Sequence, residues 1–194
     1  IVTGVQTCAL PISVTRGFLY NSDMLMYDRQ TESLWSQIPG RAVTGSQAGT
    51  SLQRLPVTHL TWGQWQRQYP DSLILTDDTG FRRNYDRAPY AGYEKTDRLY
   101  FPVSKRDKRY STKTWVLGLE QEGKAKAWPF PELAKTNGTV TDSFAGEPVV
   151  IHYNHDQQTA IALDAEGNPL SAVRAYWFAW YGFYPFTDIY EADK

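Results

Sequence analysis

From Val14 the pattern of apolar and polar positions is β-rich, in short runs broken by polar turns; only a few stretches take helical spacing. Residues 14–20 read as a strand, Asn21-Ser22-Asp23 as its turn and residues 24–29 as the returning strand. Gln30-Thr31-Glu32 makes another polar turn before a strand at 33–37. In the 24–29 run, Met24, Met26 and Asp28 share one face, and Leu25, Tyr27 and Arg29 the other. Both faces are apolar until the last two positions. Such a strand is expected to be covered on both sides and to end at a rim, cleft or corner.

Downstream, Gly40, Gly45 and Gly49 punctuate a loop-rich segment with at most short strands. Thr61 followed by Gln64 is a capping-box signature, and Pro70 is a stop, so a short helix is predicted between them. Residues 73–76 read as a strand and 77–80 as a turn. Residues 82–100, rich in tyrosine and charge without periodicity, read as a long structured loop. Lys105 to Arg109 is a local basic run that fits a solvated hairpin tip. Residues 114–119 and 124–128 form a hairpin about Glu122-Gly123, and Pro131 opens a helical turn. A further hairpin joins 148–153 to 159–163, and the aromatic tail from Ser171 reads as helix to Tyr184.

Two segments share a spacing. Trp62, Trp65, Tyr69, Pro70 and Ser72 recur as Trp177, Trp180, Tyr184, Pro185 and Thr187. Aromatics at i, i+3 and i+7 occupy one face of a helix that proline then stops. The expected fold is α+β, predominantly antiparallel β, with two short aromatic helices from an internal duplication; residues 13–194 would be one domain of two pseudo-repeats, about 13–112 and 113–194. Both tryptophan helices are expected to pack inward. The 171–190 helix is apolar nearly all round and needs a cover, from a protein partner or a missing N-terminal half.

Composition narrows the function classes. A net charge of −1 disfavours broad capture of nucleic acid, which needs a basic surface. No apolar run approaches the roughly 20 residues of a transmembrane helix. The one cysteine, Cys8, permits neither an internal disulfide nor a cysteine-based zinc site. It lies in residues 1–12, IVTGVQTCALPI, which lack the regions of a signal peptide and resemble translated sequencing-adapter read-through; they are set aside as a non-native scar.

The blocks LYNSDMLMYDRQTESLWSQ (19–37), TWGQWQRQYPDSLIL (61–75), RNYDRAPYAGY (83–93), KTWVLGLEQEGKAKAWPF (113–130), GTVTDSFAGEPVVIHY (138–153) and WFAWYGFYPFTDIY (177–190) resemble the prokaryotic domain-of-unknown-function 3179 family. The resemblance implies fold membership and carries no activity with it. It also implies an upstream segment, truncated here, in which relatives carry a Tyr-Cys-Pro-Leu-Cys type motif or selenocysteine, a redox or soft-metal device. This chain has Tyr153-Asn154-His155-Asp156-Gln157 at the corresponding place of its own copy. An extracytoplasmic location in bacteria or archaea is the accompanying expectation.

Candidate ligand-binding residues are Tyr20, Asn21, Asp28, Arg29 and Gln37, which flank short turns and could converge at one sheet end. Arg83, Tyr85 and Tyr90, in the long loop, suit an acidic or planar ligand, as does Arg82. Asn, His and Asp are common in turns, so His152, His155 and Asp156 read as turn residues and no metal site is assigned. No catalytic set and no cofactor is assigned. The leading expectation is a ligand-binding or redox-associated domain fragment. The alternatives are an enzyme with a polar site at Asn21, Asp28 and Arg29, and a carbohydrate- or protein-binding module using exposed tryptophans.

Overall fold

The computed structural model describes residues 12–87 and 90–192, with side chains in the first strand from Gly17 onward. The scar assigned to residues 1–12, with Cys8, lies outside the described residues apart from Ile12, where the first strand begins. The fold is mostly antiparallel β with three short helices, an α+β arrangement.

The first sheet is a meander of β1 (Ile12–Tyr20), β2 (Asp23–Asp28), β3 (Leu34–Ser36) and β4 (Arg41–Thr44), in that order. Asn21 and Ser22 both take positive φ, 52° and 62°, which makes the tight turn between β1 and β2. β2 is central, as its apolar run predicts, yet it is not covered on both sides. Leu25 is buried, whereas Met24 is exposed and Met26 and Tyr27 are half-buried.

The second sheet has the order β10-β5-β6-β11: β5 (Trp115–Gln121) and β6 (Lys124–Pro129) form the predicted hairpin, β10 (Val173–Tyr176) adds antiparallel to β5, and β11 (Asp188–Ile189) adds parallel to β6. The third is a meander of β7 (Thr139–Phe144), β8 (Glu147–Asn154) and β9 (Thr159–Leu163).

The second sheet is the organising layer because β5 and β6 alternate apolar side chains onto both faces. On one face Leu117, Leu119 and Trp128 meet Val140, Phe144, Val149, Ile151 and Ala162 of the third sheet. Leu133, on α2 (Phe130–Leu133), closes that layer. On the other face Val116, Ala127 and Ala175 carry Trp177 and Trp180 of α3 (Trp177–Phe183). Gly118 lets α3 approach: a Cβ there would stand 2.4 Å from the Trp180 ring. The Trp177 and Trp180 face of this helix is thus covered by the chain itself, while Tyr181 and Phe183 are half-buried and Phe186 beyond it is exposed.

α1 (Trp62–Gln68) has the capping box read from Thr61 and Gln64, but its tryptophans do not pack inward. Trp62 and Trp65 are 45% and 43% exposed, against 0% for Trp177 and Trp180. Residues 73–76 are not a strand, and Leu73 is fully solvent-exposed. Nor do the halves repeat one architecture: the first sheet lies wholly before residue 45, the other two wholly after residue 114, and no duplication is evident.

Candidate functional site

The polar residues picked from the first hairpin do not converge. β1 and β2 run antiparallel, with Tyr20 opposite Asp23 at one end and Ile12 opposite Asp28 at the other. Five residues of strand separate the ends, about 17 Å. Tyr20, Asn21 and Gln37 sit at the near end; Asp28 and Arg29 sit at the far end.

Each of the engaged polar groups holds the fold together locally. Asn21 donates from Nδ2 to the Gly182 carbonyl at 3.0 Å and accepts from the Ser104 N–H at 2.9 Å, tying the turn to the end of α3. The Tyr20 ring meets Phe183 edge-on at 5.4 Å. Gln37 donates to the Met24 carbonyl at 2.8 Å. Asp28 is buried and accepts from the Thr31 N–H at 2.6 Å, the Thr31 hydroxyl and the Trp35 indole at 2.9 Å. The Thr31 hydrogen bond, reinforced by that of Trp35, lowers its pKa to about 2 against the opposing effect of burial. Arg29 is exposed.

In the long loop, the Tyr85 hydroxyl pairs with that of Thr79 at 2.6 Å, Tyr90 packs with Tyr93 and Tyr100, and Arg82 and Arg83 are exposed. No hydrogen bond, ion pair or ring contact among the described residues joins Arg83, Tyr85 or Tyr90 to the first hairpin. His152 shares a hydrogen bond with the Thr139 hydroxyl, and His155 lies edge-on to Tyr153. Among the described residues no three His, Cys, Asp or Glu side chains form a metal-holding group.

A further arrangement with chemical potential, built from residues outside the candidate set, lies at the start of β5 in the second sheet. A cleft of about 210 Å³ is lined by Thr114, Trp115, Phe130, Pro131, Ala134, Tyr153 and Gln158. It draws on the start of β5, on α2, and on the β8–β9 turn. Arg174 of β10 is not one of the lining residues but packs against two of them, Trp115 and Phe130. The guanidinium carbon is 4.1 Å from the Trp115 ring centroid and 5.6 Å from that of Phe130. Trp115 in turn stacks on Tyr176 at 3.9 Å, its partner across the β5–β10 ladder.

Arg174 is half-buried, and its Nε is enclosed without a hydrogen-bond partner among the described residues. No carboxylate among them lies within ion-pairing distance of it. Burial lowers its pKa from the usual arginine value, with Tyr176, Glu94 and Tyr153 pulling the other way. Glu94 is already engaged, accepting from the Tyr176 hydroxyl at 2.6 Å. Burial also depresses His59, with the charge of Arg174 adding to it. The Tyr153 phenol is raised by burial, against the pull of Arg174.

The long loop beside this cleft is held by one buried cation. Lys113 donates to the carbonyls of Tyr93, Thr96 and Arg98, and its ammonium sits 3.6 Å from the Tyr93 ring centroid. Asp97 adds a second tie, accepting from the Ser111 hydroxyl at 2.6 Å and the Thr112 N–H at 3.1 Å.

The profile of one family, described as a protein of unknown function (DUF3179), matches residues 12–168, well over half of the chain. The chain belongs to the DUF3179 family. That match takes in the first hairpin, the long loop and most of the cleft wall, while Arg174 and α3 lie beyond its end. No curated protein and no solved structure matches the chain. No helix of the described residues is long and apolar enough to cross a membrane.

No sequence signal marked Arg174: a lone arginine in an aromatic strand looks the same whether it snorkels to water or turns into a wall of rings. The alternation in β10 was hidden because residues 171–184 read as a single helix.

Proposed function

We propose that this DUF3179 domain binds a small anionic ligand with a flat or apolar body, held at Arg174. The observation that carries the reading is a half-buried guanidinium laid against aromatic rings with no ion-pair partner among the described residues. Leaving a buried donor unpaired costs about 1–3 kcal/mol, so such groups call for a reason. Stacking on Trp115 satisfies the face of the guanidinium but not its N–H groups. A carboxylate fits the two terminal nitrogens of the guanidinium through parallel hydrogen bonds, and the rings of Phe130 and Tyr153 supply apolar surface for its body.

Size sets the ligand class. Pockets for drug-sized molecules run to roughly 300–1,000 Å³, so a cleft of about 210 Å³ takes a small aryl or alkyl acid or the carboxyl end of a larger molecule.

Calorimetric titration of the whole chain with benzoate, with benzamide as the neutral isostere, tests this. Benzoate is expected to bind at about millimolar strength, close to −4 kcal/mol, and benzamide at least about tenfold more weakly. Arg174→Gln is expected to remove that preference, while Arg174→Lys keeps charge but loses the fork and binds in between. Equal binding of the two probes to the wild type, or a preference unchanged in Arg174→Gln, would sink the proposal.

A further inference from the structure

We propose that the loop of residues 90–109 is a docking surface for an anionic lipid bilayer, met by exposed lysines and arginines set around a tyrosine cluster. The loop is a built platform, tied down along its length. Lys113, just ahead of β5, donates to the carbonyls of Tyr93, Thr96 and Arg98. The Ser22 hydroxyl donates to the Phe101 carbonyl at 2.8 Å, and Asn21 accepts from the Ser104 N–H. Asp97 accepts from Ser111 and from the Thr112 N–H, while Arg109 lies over the Trp177 and Tyr181 rings of α3. These ties bring residues 95–98 and 105–109 to one end of the molecule, where β5 and α3 begin.

The charge of this loop runs against that of the chain. Residues 90–109 hold six Lys and Arg against three Asp and Glu, whereas the whole chain has 20 against 21. A local positive surplus is therefore set against an acidic remainder, which orients the molecule toward a negative surface. The three acids are all engaged inside the protein. Glu94 accepts from the Tyr176 hydroxyl, Asp97 from that of Ser111, and Asp107 pairs with Arg109 at 3.0 Å. The other five cations, Lys95, Arg98, Lys105, Arg106 and Lys108, are exposed. No carboxylate among the described residues lies within ion-pairing distance of any of them.

Charge alone suits any polyanion, and the rings between the cations choose among them. Tyr90, Tyr100 and Phe101 are 63%, 51% and 47% exposed. Tyrosine and phenylalanine beside lysine and arginine match a lipid headgroup layer: the rings settle at the interface and the long basic side chains reach the phosphates. A nucleic acid strand needs ring faces open for its bases to stack on. Here the Tyr93 and Tyr100 rings meet at 56°, and Tyr90 tilts against them at 58° and 43°, so the cluster's rings occupy one another's faces.

Vesicle sedimentation of the whole chain tests this, comparing pure phosphatidylcholine with phosphatidylcholine containing about 30% phosphatidylglycerol. At about 50 mM NaCl the mixed vesicles are expected to bind more than about tenfold tighter, and the difference should shrink toward about 300 mM. One cation near such a surface contributes about fivefold, so Lys105→Gln, Arg106→Gln and Lys108→Gln together should weaken binding about a hundredfold. Arg29→Gln, Arg67→Gln and Lys124→Gln remove equal charge from exposed positions elsewhere and should stay within about threefold of the wild type. Phe101→Ser is expected to weaken binding by the same factor at both salt concentrations, because an apolar contact is not screened. Equal binding to the two vesicle types, or equal losses in the two triple variants, would overturn the inference. So would tighter binding of a single-stranded oligonucleotide than of the mixed vesicles at matched phosphate concentration, which would assign the surface to nucleic acid.

Discussion

Replacing Trp180 and Trp65 by alanine, one at a time, separates a core residue from a surface residue of the same local shape. Trp180 is fully buried, stacks on Tyr184, and lies over Gly118 between Val116 and Ala127. Removing a buried tryptophan costs about 3–5 kcal/mol, combining lost transfer energy with the cavity left behind. The orphaned Thr187 hydroxyl adds little, because it still donates to the Asp188 carbonyl at 3.1 Å. Trp65 keeps 43% of its surface in water, so its loss is expected to cost under about 1 kcal/mol despite an identical hydrogen bond and ring contact. With a urea slope of about 2 kcal/mol/M, the unfolding midpoint should fall by about 1.5–2.5 M for Trp180→Ala and by less than about 0.5 M for Trp65→Ala. Trp180→Phe should fall between them and keeps the comparison readable if the alanine variant fails to fold. Equal losses at the two sites would refute the assignment of inner and outer helices.

Three further outcomes are expected. Gly118→Ala places a Cβ against the Trp180 ring and should cost about 1–3 kcal/mol by overpacking, read as a lower urea midpoint. Lys113→Met leaves the Tyr93, Thr96 and Arg98 carbonyls without their shared donor; on the order of 3 kcal/mol lost locally should appear as faster proteolysis within residues 90–100. Asp28 has a folded pKa of about 2, below its ordinary 3.8, so its contribution is fully present above pH ~4 and is lost as pH falls toward 2. Asp28→Asn should flatten that part of the stability–pH curve; an unchanged acid limb would show that the Thr31 and Trp35 hydrogen bonds do not favour the carboxylate.

The parts of the fold legible in the sequence are those fixed by local chemistry. Thr61 and Gln64 form the capping box their spacing predicts, and Glu122-Gly123, both at positive φ, turn the β5–β6 hairpin. What failed depends on neighbours distant in sequence. Residues 73–76 have strand-forming side chains but nothing to pair with, so Leu73 to Leu75 stay open. The Trp-x-x-Trp pattern specifies a helical stripe, yet whether the stripe is buried is decided by a hairpin 48 or more residues earlier in the chain (Pro129 to Trp177). β10 was hidden by its continuity with α3, and with it Arg174. The charged step at Asp28-Arg29 suggested a site because a carboxylate at a strand end has the same sequence signature whether it meets a ligand or, as here, a threonine and an indole.

The claim on which the functional account rests is that the Arg174 guanidinium is held ready for an anion. Side-chain ¹⁵N NMR of the arginine Nε–Hε groups during a benzoate titration reads this directly. The account predicts that the Arg174 resonance moves saturably, together with aromatic signals of Trp115 and Phe130, and that benzamide leaves it in place. An Arg174 Nε–Hε signal that stays fixed while benzoate shifts only exposed arginines such as Arg82 and Arg83 would contradict it.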